Sequence, residues 1–478
     1  MATSQLAAEF EHAELGDVRR TRRVTLIAER WHAAPAASFP EMVADDAELQ
    51  GLYGLYENED VDPVAVLEPH RVQTRERILL SGESVVLVLH DTTSFTFGGE
   101  VHREDMGWLS KQQQGFHAHF ALAISADGTR RPFGVVGLST HMRARPKAKK
   151  GAKRNGRASA SDPNRESLRW PNLVRETDVF LRGASSPIHV ADREADTYEM
   201  LSEYQALSAR HVTRVRETRR PVTVLDDDAP QLGLRGAADR TIPMVGRSAT
   251  LSRRNKSTLP GVNKTHPPRD GRTARLEFAA TRVRIAKPKQ HPNDQLVAHL
   301  DVNLVHVREV DAPDGVEPVE WLLYTSEPVE TADDVLRVVD HYRARWTIEE
   351  LFKAIKTGCE YEQRQLASTH GLMIALSICI PVAWQMLLLR HQSRTAPETP
   401  ASTALSPERL NALRLVARYE ISATPSAAEV YRAIAMMGGH KRWTKQPPGW
   451  KTLSKGLEKL LFAEDVLAAA AAKANGIL

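Results

Sequence analysis

Four residues in the segment Asp340–Lys356 have types and spacing that could do chemistry: Tyr342, Arg345, Glu349 and Lys356. At about 100° per residue, their spacing puts all four within roughly a 60° arc of one helix, along about 21 Å. A carboxylate beside two cations and a phenol suits a divalent metal held next to a polyphosphate. The carboxylate takes the metal, and the cations take phosphate oxygens. A solvated helix face laced with i,i+4 ion pairs would have the same composition. The rest of the chain has to decide between them.

Two further carboxylates sit where strands should end. Asp91 follows the apolar run Ser84-Val-Val-Leu-Val-Leu-His90, and Asp192 follows Pro187-Ile-His-Val-Ala191. Continuous apolar runs of this length read as buried strands, and strand ends of an α/β sheet present side chains to a crevice. If the two strands are neighbours and the helix after Thr331 packs across them, Asp91, Asp192 and Glu349 converge. Three such acids repel one another unless cations intervene. Oxygen ligands without His or Cys imply Mg²⁺, with Mn²⁺ as substitute. Two ions about 3.5–4 Å apart would activate a water or a 3′-hydroxyl and stabilise the leaving oxygen of a phosphodiester. Taken alone, each Asp is also an ordinary turn or cap residue.

The elements that must position these groups follow from the surrounding pattern. The 478 residues allow about three domains at 150 residues each. Residues 1–65 read as a helical N-terminal domain, with Asp17 as N-cap of a run ending near Trp31. The cluster Arg19, Arg20, Arg22 and Arg23 lies on its first turns and is a candidate DNA contact. Residues 66–370 read as an α/β core. In it, strands 116–125 and 131–138 meet at an Asp127-Gly128 turn, and a β-rich, basic insertion spans about 217–320. Thr331-Ala-Asp-Asp334 opens a long helix that should run unbroken to a C-cap near Gly358. Residues 371–478 read as helical, and Gly371–Leu389, broken by Pro381, reads as a buried helix rather than a membrane span.

Composition adds bounds. Net charge is +4 and charged residues are 26% of the chain, so distribution matters more than total. Arg143–Arg157 holds eight Lys/Arg and no acid, and further basic clusters recur along the chain, which suits a polyanion touching several domains. Two cysteines, Cys359 and Cys379, support neither a disulfide framework nor a zinc site, and a reducing cytosolic compartment is the default.

The order of these features resembles cut-and-paste transposases of the DDE superfamily, within the insertion-sequence-four group and nearest the Tn-five transposase. Carrying the resemblance are Leu15-Gly-Asp-Val-Arg-Arg-Thr21, His90-Asp-Thr-Thr-Ser94 and Asp192-Arg-Glu-Ala-Asp196. Later come Trp321-Leu-Leu-Tyr-Thr-Ser-Glu-Pro-Val-Glu330, the Tyr342/Arg345/Glu349/Lys356 signature, and Ala433-Ile-Ala with Gly438-Gly439. The resemblance implies a ribonuclease-H-like mixed-sheet core with a β insertion, flanked by an N-terminal DNA-recognition domain and a helical C-terminal dimerisation domain. Asp91, Asp192 and Glu349 would be the catalytic, metal-binding triad. Tyr342, Arg345, Lys356 and Arg214 would hold phosphates of a transposon end. Trp321 matches the position where a flipped base stacks, although a strand-core tryptophan has the same signature. Implied partners are double-stranded DNA bearing specific ends, target DNA and a second copy in the synaptic complex, in a bacterial cytoplasm on the nucleoid. A metal-dependent endonuclease without strand transfer, a catalytically idle DNA-binding relative and a carboxylate-pair glycosidase are the alternatives. The last leaves the basic clusters unexplained.

Overall fold

Three antiparallel strands are β1 (Val85–Phe97), β2 (Gln114–Ser125) and β3 (Pro132–His141); β1 does not end at Asp91, as the apolar run suggested, but continues in register with β2 to Phe97, so Asp91 lies mid-strand. The three strands pair in the order β3-β2-β1, with Asp91 opposite Phe120. Gly128, at φ +88°, makes the β2–β3 turn, a backbone region that glycine enters without strain. The protein is described by a computed structural model covering residues 6–98, 103–145, 165–225, 231–256, 268–289, 291, 293–403, 405–441, 443 and 447–474. Within it the chain divides into two units. One comprises residues 1–155, 179–186 and 346–478, the other 156–178 and 187–345.

In the first unit the N-terminal helix Val18–Ala33 is capped by Asp17, whose side chain accepts from Arg19 N. The helix Pro63–Ser81 carries His70, which is fully buried between Glu9, 2.5 Å from its Nδ1, and the Val135 N–H, 3.1 Å from its Nε2. Burial holds this imidazole below its ordinary range, with Glu9 opposing. A neutral ring that donates at one nitrogen and accepts at the other ties the N-terminal segment and the helix to β3. The helix Thr369–Thr395 is apolar and long enough to cross a membrane, but 83% of its most apolar window is buried inside the protein. It serves as a core helix: Trp384 Nε1 donates to Pro132 O at 3.1 Å, and Tyr361 OH donates to Leu372 O at 2.7 Å. Buried Arg364 donates to the carbonyls of Pro35, Ala37 and Cys359, satisfying loop groups that would otherwise be stranded.

The second unit holds a mixed sheet ordered β4-β5-β11-β10-β9-β6-β7, with β8 pairing β9. Its strands are β4 (Ser186–Ala191), β5 (Arg210–Arg214), β6 (Pro221–Val224), β7 (Leu232–Gly233), β8 (Pro243–Leu251), β9 (Arg272–Ala286), β10 (His299–Val310) and β11 (Glu320–Thr325). Only β4 and β5 run parallel among its described pairs, joined through the helix Tyr198–Leu207, because a parallel return needs a crossover. Trp170, Val174, Tyr198, Leu201, Tyr204, Leu304 and Tyr324 are among the buried residues of its core.

One expectation is corrected. The helix opened by the Thr331/Asp334 capping box ends at Ala344; a second helix covers Trp346–Lys353, and Ala354–Gly358 forms a π turn. Apolar spacing near 3.6 continues through the break at Arg345, so periodicity could not reveal it. A π turn widens the spiral, so Lys356 no longer follows the straight-helix arc.

Candidate active site

Asp91 and Glu349 belong to the first unit, on elements that face each other. Residues directly opposed across an antiparallel pair share a face, so Asp91 looks out with Phe120. The Phe120 ring meets Phe352 of the helix Trp346–Lys353 at 5.4 Å, edge to face, and meets Phe95 at 6.4 Å. Glu349 lies three residues before Phe352, on the same side of that helix. Both acids are partly exposed, while the aromatic layer beneath them is buried. Asp91 Oδ1 accepts from Thr92 N at 2.8 Å.

Lys356 joins the same pair of elements. Its Nζ donates to Ser94 O at 2.6 Å and lies 5.4 Å from the centre of the Phe95 ring. Burial pushes this ammonium below its ordinary range, with Glu362 opposing. Glu362 itself accepts from Thr96 N at 2.7 Å, a contact on β1 that sequence reasoning missed. Trp346, 57% exposed, opens the helix with the Lys353 ammonium 5.7 Å from its ring.

Asp192, Arg214, Trp321, Tyr342 and Arg345 belong to the second unit. Asp192 follows β4 and caps a short 3-10 turn, accepting from Glu194 N at 2.8 Å. Arg214 ends β5 opposite Leu323, and its guanidinium lies 5.8 Å from the Trp321 ring. Trp321, on β11 and partly exposed, meets Tyr342 at 5.5 Å, edge to face. The Tyr342 side chain is therefore in packing contact, at 6% exposure. Arg345 follows the helix Ala332–Ala344, its N–H bonded to Tyr342 O at 3.1 Å.

Sequence reasoning also passed over Arg193. Burial and then Arg214 hold its guanidinium below its ordinary range, opposed by Tyr342 and Asp192. The signal was its place beside Asp192 in a motif already singled out. Asp196, in the same motif, accepts from the backbone N–H of Arg216 and Glu217 and pairs with Arg220 at 2.7 Å, fixing the loop after β5.

The N-terminal arginines split by role. Arg20 donates to Leu15 O and pairs with Asp60 at 2.8 Å, and the Arg23 guanidinium lies against Gly51, where a Cβ would fall 1.1 Å from Nη1. Both hold the fold. Arg19 pairs with the cap Asp17 at 2.8 Å, and both Arg19 and Arg22 are exposed. Of the basic run 143–157, Arg145 stacks 4.3 Å over Trp108, and its residues from 146 onward lie outside the described residues.

Another group brings ligand-type atoms together: Asp239, His306 and Glu320, all within 4.8 Å of one another. His306 Nε2 lies 2.8 Å from Glu320 Oε1 and its Nδ1 lies 3.1 Å from Ala238 O, while Glu320 also pairs with Arg235. None of these is an acid of the expected triad, and the arginine already balances the Glu320 carboxylate.

In the first unit Asp91, within β1, and Glu349 lie on facing elements; in the second, Arg214 stands beside the Trp321 ring. Residues 2–61 match the family model described as transposase DNA-binding, and residues 172–382 match the one described as transposase DDE domain. The second match identifies a DDE transposase domain, which makes the protein an enzyme that cuts DNA phosphodiesters and exchanges their esters. The DDE match contains Asp192 and Glu349 and begins after Asp91. Its fold is ribonuclease-H-like, in keeping with the mixed sheet, and its chemistry uses divalent metal. Carboxylates at Asp91, Asp192 and Glu349 fit that requirement: all are hard oxygen donors, as Mg²⁺ or Mn²⁺ prefers.

Proposed function

We propose that the protein is a cut-and-paste transposase of the insertion-sequence-four group, akin to the Tn-five transposase. It nicks transposon ends, forms and resolves a hairpin, and transfers the strand into target DNA. In this reading Asp91, Asp192 and Glu349 together hold two Mg²⁺ ions. When bound, these supply Lewis-acid activation of the attacking oxygen and stabilise the leaving oxygen. The placement of Asp91 and Glu349 on facing elements, pinned by Lys356, is the observation that carries it.

The chain's own groups then have distinct tasks. Lys356, Arg345 and Arg214 hold phosphate oxygens, with Tyr342 adding a phenolic donor. Trp321 offers its ring to an extruded base, and the edge contact with Tyr342 sets the ring's angle. Residues 1–65, with Arg19 and Arg22 outward, recognise the end sequence, and residues 66–370 catalyse. Residues 371–478 dimerise, and the exposed side chains Leu415, Phe462 and Val466 around one groove support that assignment. A cytoplasmic, DNA-bound location follows from the same reading.

Incubation with end-bearing DNA, a target plasmid and Mg²⁺ tests the proposal. Joined products are expected. Cleavage without joining would instead identify a metal-dependent endonuclease.

A further inference from the structure

We propose that Arg364 is a positioning residue that fixes where on the DNA the cut falls, by tying the DNA-binding part of the chain to the segment that carries Lys356. The proposal rests on the reading of Asp91 and Glu349 as cutting residues. Arg364 is 4% exposed. Its Nη1 donates to Ala37 O, and its Nη2 donates to Pro35 O at 2.8 Å and to Cys359 O at 2.7 Å. The guanidinium lies 4.5 Å from the centre of the Trp31 ring and 5.1 Å from that of Phe39, and the two rings meet edge to face at 5.7 Å. Among the described residues no carboxylate hydrogen-bonds to it.

Burial holds this guanidinium below its ordinary range, opposed by Cys379 and Cys359. A buried charge without an ionic partner is costly, and an apolar side chain of similar length would fill the space at less cost. What the guanidinium adds is geometry: a rigid planar fork that holds three carbonyls in set directions. Those carbonyls come from distant stretches. Pro35 and Ala37 lie between the helices Val18–Ala33 and Phe39–Met42, within residues 2–61 of the DNA-binding match. Cys359 directly follows the π turn Ala354–Gly358, which holds Lys356 against Ser94 of β1. One side chain thereby joins the part that reads DNA to the junction of the two elements bearing Asp91 and Glu349. Other contacts keep these parts attached without it: Glu9 meets His70, and His370 Nε2 donates to Asn58 O at 3.1 Å. Arg364 therefore sets their angle rather than their attachment. Successive base pairs rise about 3.4 Å, so a shift of that size at the recognition end moves the cut by one nucleotide. In a symmetric pair of copies the joint occurs in both, so the same holds whichever copy cuts.

The test maps cut positions at nucleotide resolution, with Mg²⁺, on a duplex that the wild type selects from a random pool, embedded in longer flanking DNA. The wild type should cut at one phosphodiester. Arg364→Met and Arg364→Lys should spread the cuts over neighbouring positions and lower kcat at the wild-type bond about 10–100-fold, with KM for the duplex within about twofold of wild type. Lysine keeps the charge and loses the fork, so it should not rescue the position. Phe39→Leu, which keeps the fork and removes one ring, should also spread the cuts, though less, and it serves if both Arg364 variants fail to fold. In DNA-free protein, hydrogen exchange should rise in residues 35–39 and 354–359 together in the Arg364 variants. A single cut at the wild-type bond in any folded variant would overturn the proposal, as would unchanged exchange in both segments or full rescue by lysine. Scattered cuts by the wild type, with both segments protected, would count against the cut-and-paste reading, not against the joint.

Discussion

Lys356 Nζ reaches the carbonyl of Ser94 at 2.6 Å, three residues beyond Asp91 on β1. This charge-assisted bond fixes the π turn after the Glu349 helix to the strand that carries the other acid. Glu362, on the same stretch of chain, bonds to Thr96 N and reinforces the junction. One lysine therefore positions a carboxylate-bearing helix as well as offering a cation.

Replacing Lys356 with Met should lower stability by about 1–3 kcal/mol, because the Ser94 carbonyl loses its partner in a half-buried site. Chemical denaturation measures this, and an unchanged midpoint would reduce the bond to a surface contact.

The same lysine sets a pH dependence. Its pKa in the folded chain lies below the ordinary lysine value of 10.5, so between the two values the unfolded chain binds more protons. Its contribution to stability therefore rises with pH across that window, while the cation facing DNA is lost. Cleavage by the wild type should fall on the alkaline side before that of Lys356→Arg, whose charge persists. Coincident alkaline limbs would remove Lys356 from the phosphate contacts.

Each of Asp91→Ala, Asp192→Ala and Glu349→Ala should slow Mg²⁺-dependent cleavage about a thousandfold or more, or about 4 kcal/mol, and leave binding in a gel shift largely intact. Cleavage that survives in one variant excludes that residue from the triad.

Trp321→Ala should slow hairpin formation more than first-strand nicking, and Trp321→Phe should restore part of the difference by keeping a stacking face. Equal slowing of both steps in Trp321→Ala would assign the ring to packing against Tyr342 alone.

Gly456 lets the helices Ala427–Met437 and Trp450–Ala474 touch backbone to backbone: a Cβ there would lie 1.8 Å from Ile434 O. Gly456→Ala should destabilise the helical region by about 1–3 kcal/mol through overpacking, visible as a lowered melting temperature. A melting temperature at or above the wild-type value would contradict this close approach.

Strong local signals made much of the fold readable. The apolar run before Asp91, the Asp127-Gly128 turn, the Asp17 cap and the Thr331/Asp334 capping box each correspond to an observed element, because each is fixed by neighbouring residues. The break at Arg345 was not readable, since apolar spacing runs straight through it. Charge type could not tell that Arg20 pairs with Asp60 and Arg23 packs on Gly51 while Arg22 is exposed, because those neighbours are distant in sequence. Arg193 and the Asp239/His306/Glu320 group were missed for a related reason: their neighbours are set by tertiary packing.

The most direct test of the central claim is anomalous diffraction from Mn²⁺-soaked crystals of the protein bound to DNA. The account predicts Mn²⁺ density ligated jointly by Asp91, Asp192 and Glu349. Mn²⁺ found only at Asp239, His306 and Glu320, or no density near the three acids in an actively cleaving complex, would contradict it.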